Sequence, residues 1–393
     1  MDQPPPLISK ISFSISFVVV FLIAIEVLSA IYLKISYVRH GGLENVPGAA
    51  ALSVYKSYSW APTYWREEVA AFNVSYEPYV LWKRAPYRGE TVTIDEEGLR
   101  LTAHSQCTAQ NYTVWLLGGS TMWGAGAPDW LTIPSLLAEK YEKSGKPVCV
   151  RNYGTNAWVN TQEVVELMLE LKRAQHKPDL VIFYDGFNDT YALYQSGLID
   201  VPINNELIKN KLESGDPVQA GWNPPQSSTL RPMSQFLLMS NTAQVLGRLG
   251  AKLQHALNRS QPARSRHLNS DQVRAQLDVA YVKNMESVDV LSRQYGFKFA
   301  FFWQPVLLVG HKHLSAEEVT ELHDTLSDFV GMQDVFKEMY PLAQQVDRPG
   351  FFDIDDVLDG RPDTIYIDYA HLAPEGNRLV AERMYDVLHN HGM

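Results

Sequence analysis

The chain has 393 residues, 46% of them hydrophobic, which is enough to bury a large core. This length suggests one domain of about 280 residues with additions rather than two equal domains. Its 34 basic and 44 acidic side chains leave a formal net charge of -10, and no basic run or interleaved aromatic–basic patch offsets it, which argues against nucleic acid as a partner. No Cys/His spacing suits a metal, no cofactor is expected, and there are no internal repeats.

Residues 1–10 read as a short N-terminal tail. Ile11 to Leu33 follows, apolar apart from small hydroxylated residues and one acid, Glu26. About 23 residues at roughly 1.5 Å each reach across a hydrocarbon layer, so the stretch predicts a transmembrane helix. It is too long for a cleaved signal peptide, and Ser29-Ala30 makes a poor small-residue cleavage site. Glu26 is expensive in lipid: it pairs with a membrane partner helix, is protonated, or faces a dimer mate.

Residues 34–110 read as a juxtamembrane extension that packs on the core, rich in Tyr, Trp and Pro and ending in a strand–turn pattern over Thr91 to Arg100. Core packing and the membrane-interface preference of Trp and Tyr account for that composition; an aromatic platform for a sugar is the sharper alternative. Cys107 lies just before the next apolar run.

The remainder, 111–393, alternates strands and helices. Tyr112 to Leu117 reads as a buried strand, followed by Gly118-Gly119-Ser120-Thr121 and a helix near Ile133 to Tyr141. A serine at such a strand-to-helix turn is raised above the sheet edge, a position that suits a nucleophile. No Gly-Lys-Ser/Thr follows, as a phosphate loop would require, and Met122 stands where the hydrolase elbow G-x-S-x-G would have its last glycine. Val148 to Asn152, carrying Cys149, and Leu180 to Tyr184 are the next strands, each followed by a polar patch: Asn152-Tyr153-Gly154-Thr155-Asn156 and Gly186-Phe187-Asn188-Asp189. Both patches then lie at the carboxyl edge of a parallel sheet, where open α/β folds bind ligands. There the Gly154 N–H and the Asn188 amide face the same crevice as Ser120.

Residues 191–270 interrupt the pattern with Pro, Asn, Ser and Gly clusters around Trp222-Asn223-Pro224-Pro225 and an amphipathic stretch from Met233 to Leu257. An insertion starting at this edge is the natural place for a cap over the site; the alternative is a surface excursion with no role. Asp271 to Tyr295 then reads as one long helix closed by Gly296, and Phe299 to Trp303 as a strand ending at Gln304, which either contacts substrate or serves as a turn amide. Ser315-Ala316-Glu317-Glu318 is a capping box opening a helix before the last strand, Phe351 to Ile354. The sum is a three-layer α/β/α sandwich with a parallel, flavodoxin-like sheet.

Asp368-Tyr369-Ala370-His371 precedes a final helix begun by Pro374 and Glu375. A spacing of three lets Asp368 hold the imidazole Nδ1 proton and leave Nε2 free to deprotonate Ser120. Each patch alone also has a plain structural reading: a glycine turn with a capping serine, ordinary turn chemistry, a helix-start Asp-x-x-His. Together they supply every part of an acyl-transfer site, namely a nucleophile, a base, its orienting group and oxyanion donors.

In that conjunction the sequence resembles the SGNH, or GDSL-like, hydrolase family, whose blocks centre on a serine, a glycine, an asparagine and an Asp-x-x-His histidine in this order. The resemblance covers roughly residues 112–190 and 296–390, with Gly-Gly-Ser-Thr where the name-giving Gly-Asp-Ser-Leu would stand. It implies a nucleophile at Ser120, oxyanion donors from Ser120 N–H, Gly154 N–H and the Asn188 side chain, and a base with its orienting group at His371 and Asp368. The implied activity is ester hydrolysis; an extracytoplasmic anchor would point it to an O-acetylated envelope or exported glycan, or to a lipid ester near the bilayer. The same residues also serve an O-acyltransferase with a sugar acceptor, and a catalytically silent envelope-assembly or polysaccharide-binding protein is the reading from another class.

Location rests on two opposing signals. Lys10 before the apolar span and Lys34 and Arg39 after it place the large domain in the cytoplasm by count of positive charges. Cys107 and Cys149 sit on or beside neighbouring strands, within reach of a disulfide that would close a loop of about 42 residues and contribute roughly 4 kcal/mol in an oxidising compartment. Two buried free thiols are the alternative. The cysteines and the resemblance together lead us to expect an extracytoplasmic catalytic domain on a single-pass anchor.

Overall fold

The computed structural model describes residues 20–21, 24–32, 48–213 and 268–393. Residues 24–32, Glu26 among them, are helical; the rest of the expected span 11–33 lies outside the described residues apart from 20–21. Among the described residues no helix is long and apolar enough to cross a membrane. Residues 48–213 and 268–393 fall within one compact unit.

The N-terminal part of this unit is more structured than the strand–turn pattern suggested. After helix α1 (Ala61–Ala70) come two antiparallel hairpins, β1 (Val74–Glu77) with β2 (Leu81–Arg84), and β3 (Tyr87–Arg88) with β4 (Thr93–Ile94). Tyr55, Tyr64 and Trp65 are buried in one cluster with Trp123 and Ile367, so packing explains these aromatics. Trp130 stays partly exposed, edge-on to Trp60.

The core strands are β5 (Tyr112–Gly118), β6 (Val148–Asn152), β7 (Leu180–Asp185), β8 (Lys298–Trp303) and β9 (Phe351–Asp353), all parallel, in the order β6-β5-β7-β8-β9. Such a sheet is buried on both faces, and successive side chains point to opposite layers. Trp115, Leu117, Val181, Phe183, Phe301 and Trp303 join one core, and Val114, Leu116, Ile182, Tyr184, Ala300 and Phe302 the other. This is the three-layer, parallel arrangement that the alternation predicts, and the strand order is flavodoxin-like. The chain reverses direction across the sheet between β5 and β7, so the crevice beyond their carboxyl ends is a topological switch point. Gly118-Gly119-Ser120 leaves β5 there and Gly186-Phe187-Asn188 leaves β7.

The helices of the core unit are α2 (Ser120–Trp123), α3 (Ile133–Lys143), α4 (Asn160–Arg173), α5 (Phe187–Ser196), α6 (Asn205–Glu213), α7 (Ser270–Gln276), α8 (Lys283–Tyr295), α9 (Ala316–Asp328), α10 (Met332–Ala343) and α11 (Pro374–Asn390). Three features depart from the sequence reading. The long helix expected from Asp271 is broken by a π turn, Leu277–Val282, which aims Tyr281 into the sheet. The segment after the capping box is two helices, separated at Gly331, whose φ of 80° the left-handed region reserves mainly for glycine. The start of the expected insertion is core: α5 carries the Asn188 patch directly to Ser196. Residues 214–267, including Trp222-Asn223-Pro224-Pro225 and the amphipathic stretch expected to form the cap, lie outside the described residues.

Candidate active site

Ser120 is the first residue of α2, with Gly119 extended at the N-cap. His371 Nε2 lies 2.6 Å from Ser120 Oγ, and His371 Nδ1 lies 2.6 Å from Asp368 Oδ2. Asp368 Oδ1 accepts the backbone N–H groups of Ala370 (2.8 Å) and His371 (2.7 Å), so the loop that carries the carboxylate also fixes its plane. Tyr369 stacks on Phe187 with ring centroids 5.1 Å apart, joining the Asp368–His371 loop to the helix that bears Asn188. Segments distant in sequence therefore converge on one hydroxyl.

The electrostatics suit a base. Burial disfavours the charged imidazole, but the Asp368 carboxylate, through charge and hydrogen bond, outweighs it and raises the His371 pKa above its ordinary value. Burial likewise pushes Asp368 up, and the His371 ring with the two loop N–H groups overcomes that and lowers it. With this geometry a neutral His371 can accept the Ser120 proton, and the Asp368 carboxylate can hold the resulting imidazolium.

Asn188 stands in the first turn of α5, and its Nδ2 donates to the Trp158 carbonyl at 2.6 Å. A methyl group on Gly119 would overlap that amide nitrogen, so the glycine beside Ser120 is required by the approach of Asn188. Gly154 differs from what the resemblance implies. Its N–H donates to Asn152 Oδ1 at 2.9 Å, and a Cβ there would collide with the Met122–Trp123 backbone. Gly154 is thus a packing glycine beneath α2, with its donor already engaged. Asn152, to which the sequence reading gave no role, is the staple: its Nδ2 reaches the Met122 (3.3 Å) and Trp123 (3.4 Å) carbonyls. Three residues beyond Gly154, Ala157 holds a φ of 62°, unusual for a side-chain-bearing residue, and its N–H donates no hydrogen bond to any described residue. Backbone outliers of this kind gather at functional sites, and no residue pattern announces them.

Gln304 is 3% exposed, and its Oε1 accepts from Thr121 at 3.2 Å. It braces α2 from below and is not placed to contact substrate. Cys107 and Cys149 are joined in a disulfide, Cα atoms 4.4 Å apart, at the opening of β6.

Beneath the site lies a buried acidic network that the sequence did not disclose. Asp185 Oδ2 accepts from Asn160 Nδ2 (2.9 Å) and Tyr281 OH (3.1 Å), and Asp189 Oδ1 accepts the Asn160 N–H (3.0 Å). Burial pushes Asp185 up to about 6. Burial and then the Asp185 charge raise Asp189 and Glu163 well above the carboxylate range. No described group of His, Cys, Asp and Glu could hold a metal ion.

No family model matches the sequence, and no curated protein does. Among solved structures, an acetyl xylan esterase, AlAXEase, overlays with 14% identity over 70% of this chain and 99% of its own, at a TM-score of 0.34. A G-D-S-L lipolytic protein from Desulfitobacterium hafniense DCB-2 gives 12% identity, 71% and 100% coverage and a TM-score of 0.32. Another from Veillonella parvula DSM 2008 gives 12%, 70%, 97% and 0.34. Overlaps this loose add no weight of their own, and the chemical reading stands on the Ser120–His371–Asp368 geometry.

Proposed function

We propose that the protein is a serine ester hydrolase of SGNH type. The observation that carries this reading is the unbroken relay from Ser120 Oγ through His371 to Asp368, each link 2.6 Å, beside an amide donor at Asn188. Ser120 Oγ attacks the acyl carbon as His371 Nε2 takes its proton, and the carbonyl oxygen becomes an oxyanion held by the Ser120 N–H and the Asn188 amide. Collapse breaks the ester C–O bond, with His371 returning the proton to the departing alcohol. Water, deprotonated by the same nitrogen, then releases the acid from Ser120. Each donor contributes about 3 kcal/mol to the transition state.

The substrate class in this reading is an O-acylated, above all O-acetylated, envelope or exported glycan, or a lipid ester. The Cys107–Cys149 disulfide supports an oxidising compartment. The apolar stretch Ile11 to Leu33 supports a single-pass anchor that holds the domain on the extracytoplasmic side, near the bilayer. Turnover of p-nitrophenyl esters from acetyl to palmitoyl tests the activity and its acyl preference, and the same assay with added sugar shows whether an acyl group passes to a hydroxyl in place of water. No ester cleavage on any chain length would overturn the proposal.

A further inference from the structure

The N-terminal extension reaches the catalytic corner through β2. Trp82 Nε1 donates to the Asn156 carbonyl at 2.9 Å, and Arg84 Nε donates to Asn156 Oδ1 at 2.9 Å. Trp158 Nε1 in turn donates to the Trp82 carbonyl at 3.0 Å. These three bonds grip the turn on both sides of Ala157, the residue with the left-handed φ. The far end of the turn is fixed by the Trp158 carbonyl, which accepts from Asn188.

Arg84 is 1% exposed, and its position is itself determined by several groups. Its Nη1 donates to the Ala71 carbonyl at 3.0 Å, Glu68 lies 3.7 Å from Nη2, and the guanidinium sits 4.4 Å over the Trp123 ring, the last residue of the helix that begins at Ser120. One buried cation therefore touches both the nucleophile helix and the Asn156 turn. Burying an arginine is costly unless its donors are used, and here the expense secures a strained turn.

We propose that Trp82 and Arg84 are positioning residues for the oxyanion site: by clamping Asn156 they hold Ala157 in its left-handed conformation, so that the Ala157 N–H, in place of the Gly154 N–H engaged by Asn152, serves as the third oxyanion donor. This rests on the ester-hydrolase reading and goes beyond it, because the clamp comes from outside the strand–helix core. Without it, Ala157 relaxes toward negative φ and its N–H rotates away from the developing charge. Substrate binding, which precedes that charge, is spared.

The test uses the full chain with Trp82→Phe, which keeps the ring and removes its donor, and Arg84→Lys as a second variant. Active sites are titrated with a serine-directed phosphonate, so misfolded protein drops out of the count. We expect Trp82→Phe to lower kcat per titrated site about tenfold with KM within twofold, the cost of misplacing a donor rather than deleting it. Affinity for an alkylboronic acid, whose tetrahedral Ser120 adduct carries an oxyanion, should weaken by a similar factor. A residue needed only for folding would lower Tm and the titrated fraction and leave kcat per site and boronate affinity at wild-type values; that result in both variants overturns the inference. A wild-type protein that neither labels nor turns over removes the hydrolase reading beneath it, which is a distinguishable failure.

Discussion

Gly119 and Asn188 approach so closely that a methyl group on the glycine would overlap the asparagine amide nitrogen. Gly119→Ala should therefore push Asn188 off its bond to the Trp158 carbonyl and act through the oxyanion rather than through the fold. We expect Asn188→Ala to cost about 10²–10³ in kcat, and Gly119→Ala to lose activity in the same direction with KM little changed. Steady-state kinetics on one short ester checks both, and a Gly119→Ala enzyme of full kcat would separate the pair.

The relay makes a pH prediction. His371 acts as a base only when neutral, and its pKa is raised, principally by Asp368 against the opposing effect of burial. kcat/KM should rise with pH through a midpoint above the ordinary histidine value and lose its activity below it. Asp368→Asn removes the partner that raises the pKa: the midpoint should fall and kcat drop by about 10²–10⁴. A pH–rate profile unchanged by Asp368→Asn would contradict the pairing.

Asp185 makes a prediction about stability. Its folded pKa of about 6 exceeds the ordinary carboxylate value, so the folded state binds the proton more tightly than the unfolded chain. That contribution is fully present below about pH 4 and is lost as pH rises through about 6. Glu163 and Asp189, facing Asp185 together with Tyr281 and Asn160, act with the same sign. Tm should fall between about pH 4 and 7, and Asp185→Asn should flatten the decline without abolishing it, because Asp353, also near 6, remains. Thermal melts across that range check the slope.

The disulfide joins the loop before β5 to β6, the edge strand of the sheet. Cys149→Ser should cost about 2–5 kcal/mol, read from denaturant midpoints against wild type, with kcat on the folded enzyme retained. Equal midpoints for the two proteins would show that the cross-link adds nothing.

The range of each interaction decides whether it was legible in the sequence. Ser120, Asn188, Asp368 and His371 were legible because each sits just beyond a strand or before a helix whose apolar pattern is local, and parallel topology brings such positions to one edge. Ala157 was not, since a left-handed φ at alanine is imposed from outside: Trp82 and Arg84 lie more than seventy residues earlier and meet Asn156 only in the fold. Gly154 was misjudged for a related reason, because a glycine that frees a donor and one that admits a neighbouring backbone look alike in sequence. The buried carboxyls Glu163 and Asp189 read as surface acids until burial is known, and Tyr281 reaches Asp185 through a π turn that no periodicity marks.

The central claim is that Ser120 is the acylated nucleophile. Its most direct measurement is intact-mass and peptide-mass analysis after reaction with a serine-directed fluorophosphonate, on wild type and Ser120→Ala, alongside ester turnover by the same samples. The account predicts a single adduct on the peptide containing Ser120, none on Ser120→Ala, slowed labelling in His371→Ala, and no turnover in either variant while both remain folded. An adduct on another residue, or near wild-type hydrolysis by Ser120→Ala, would contradict it.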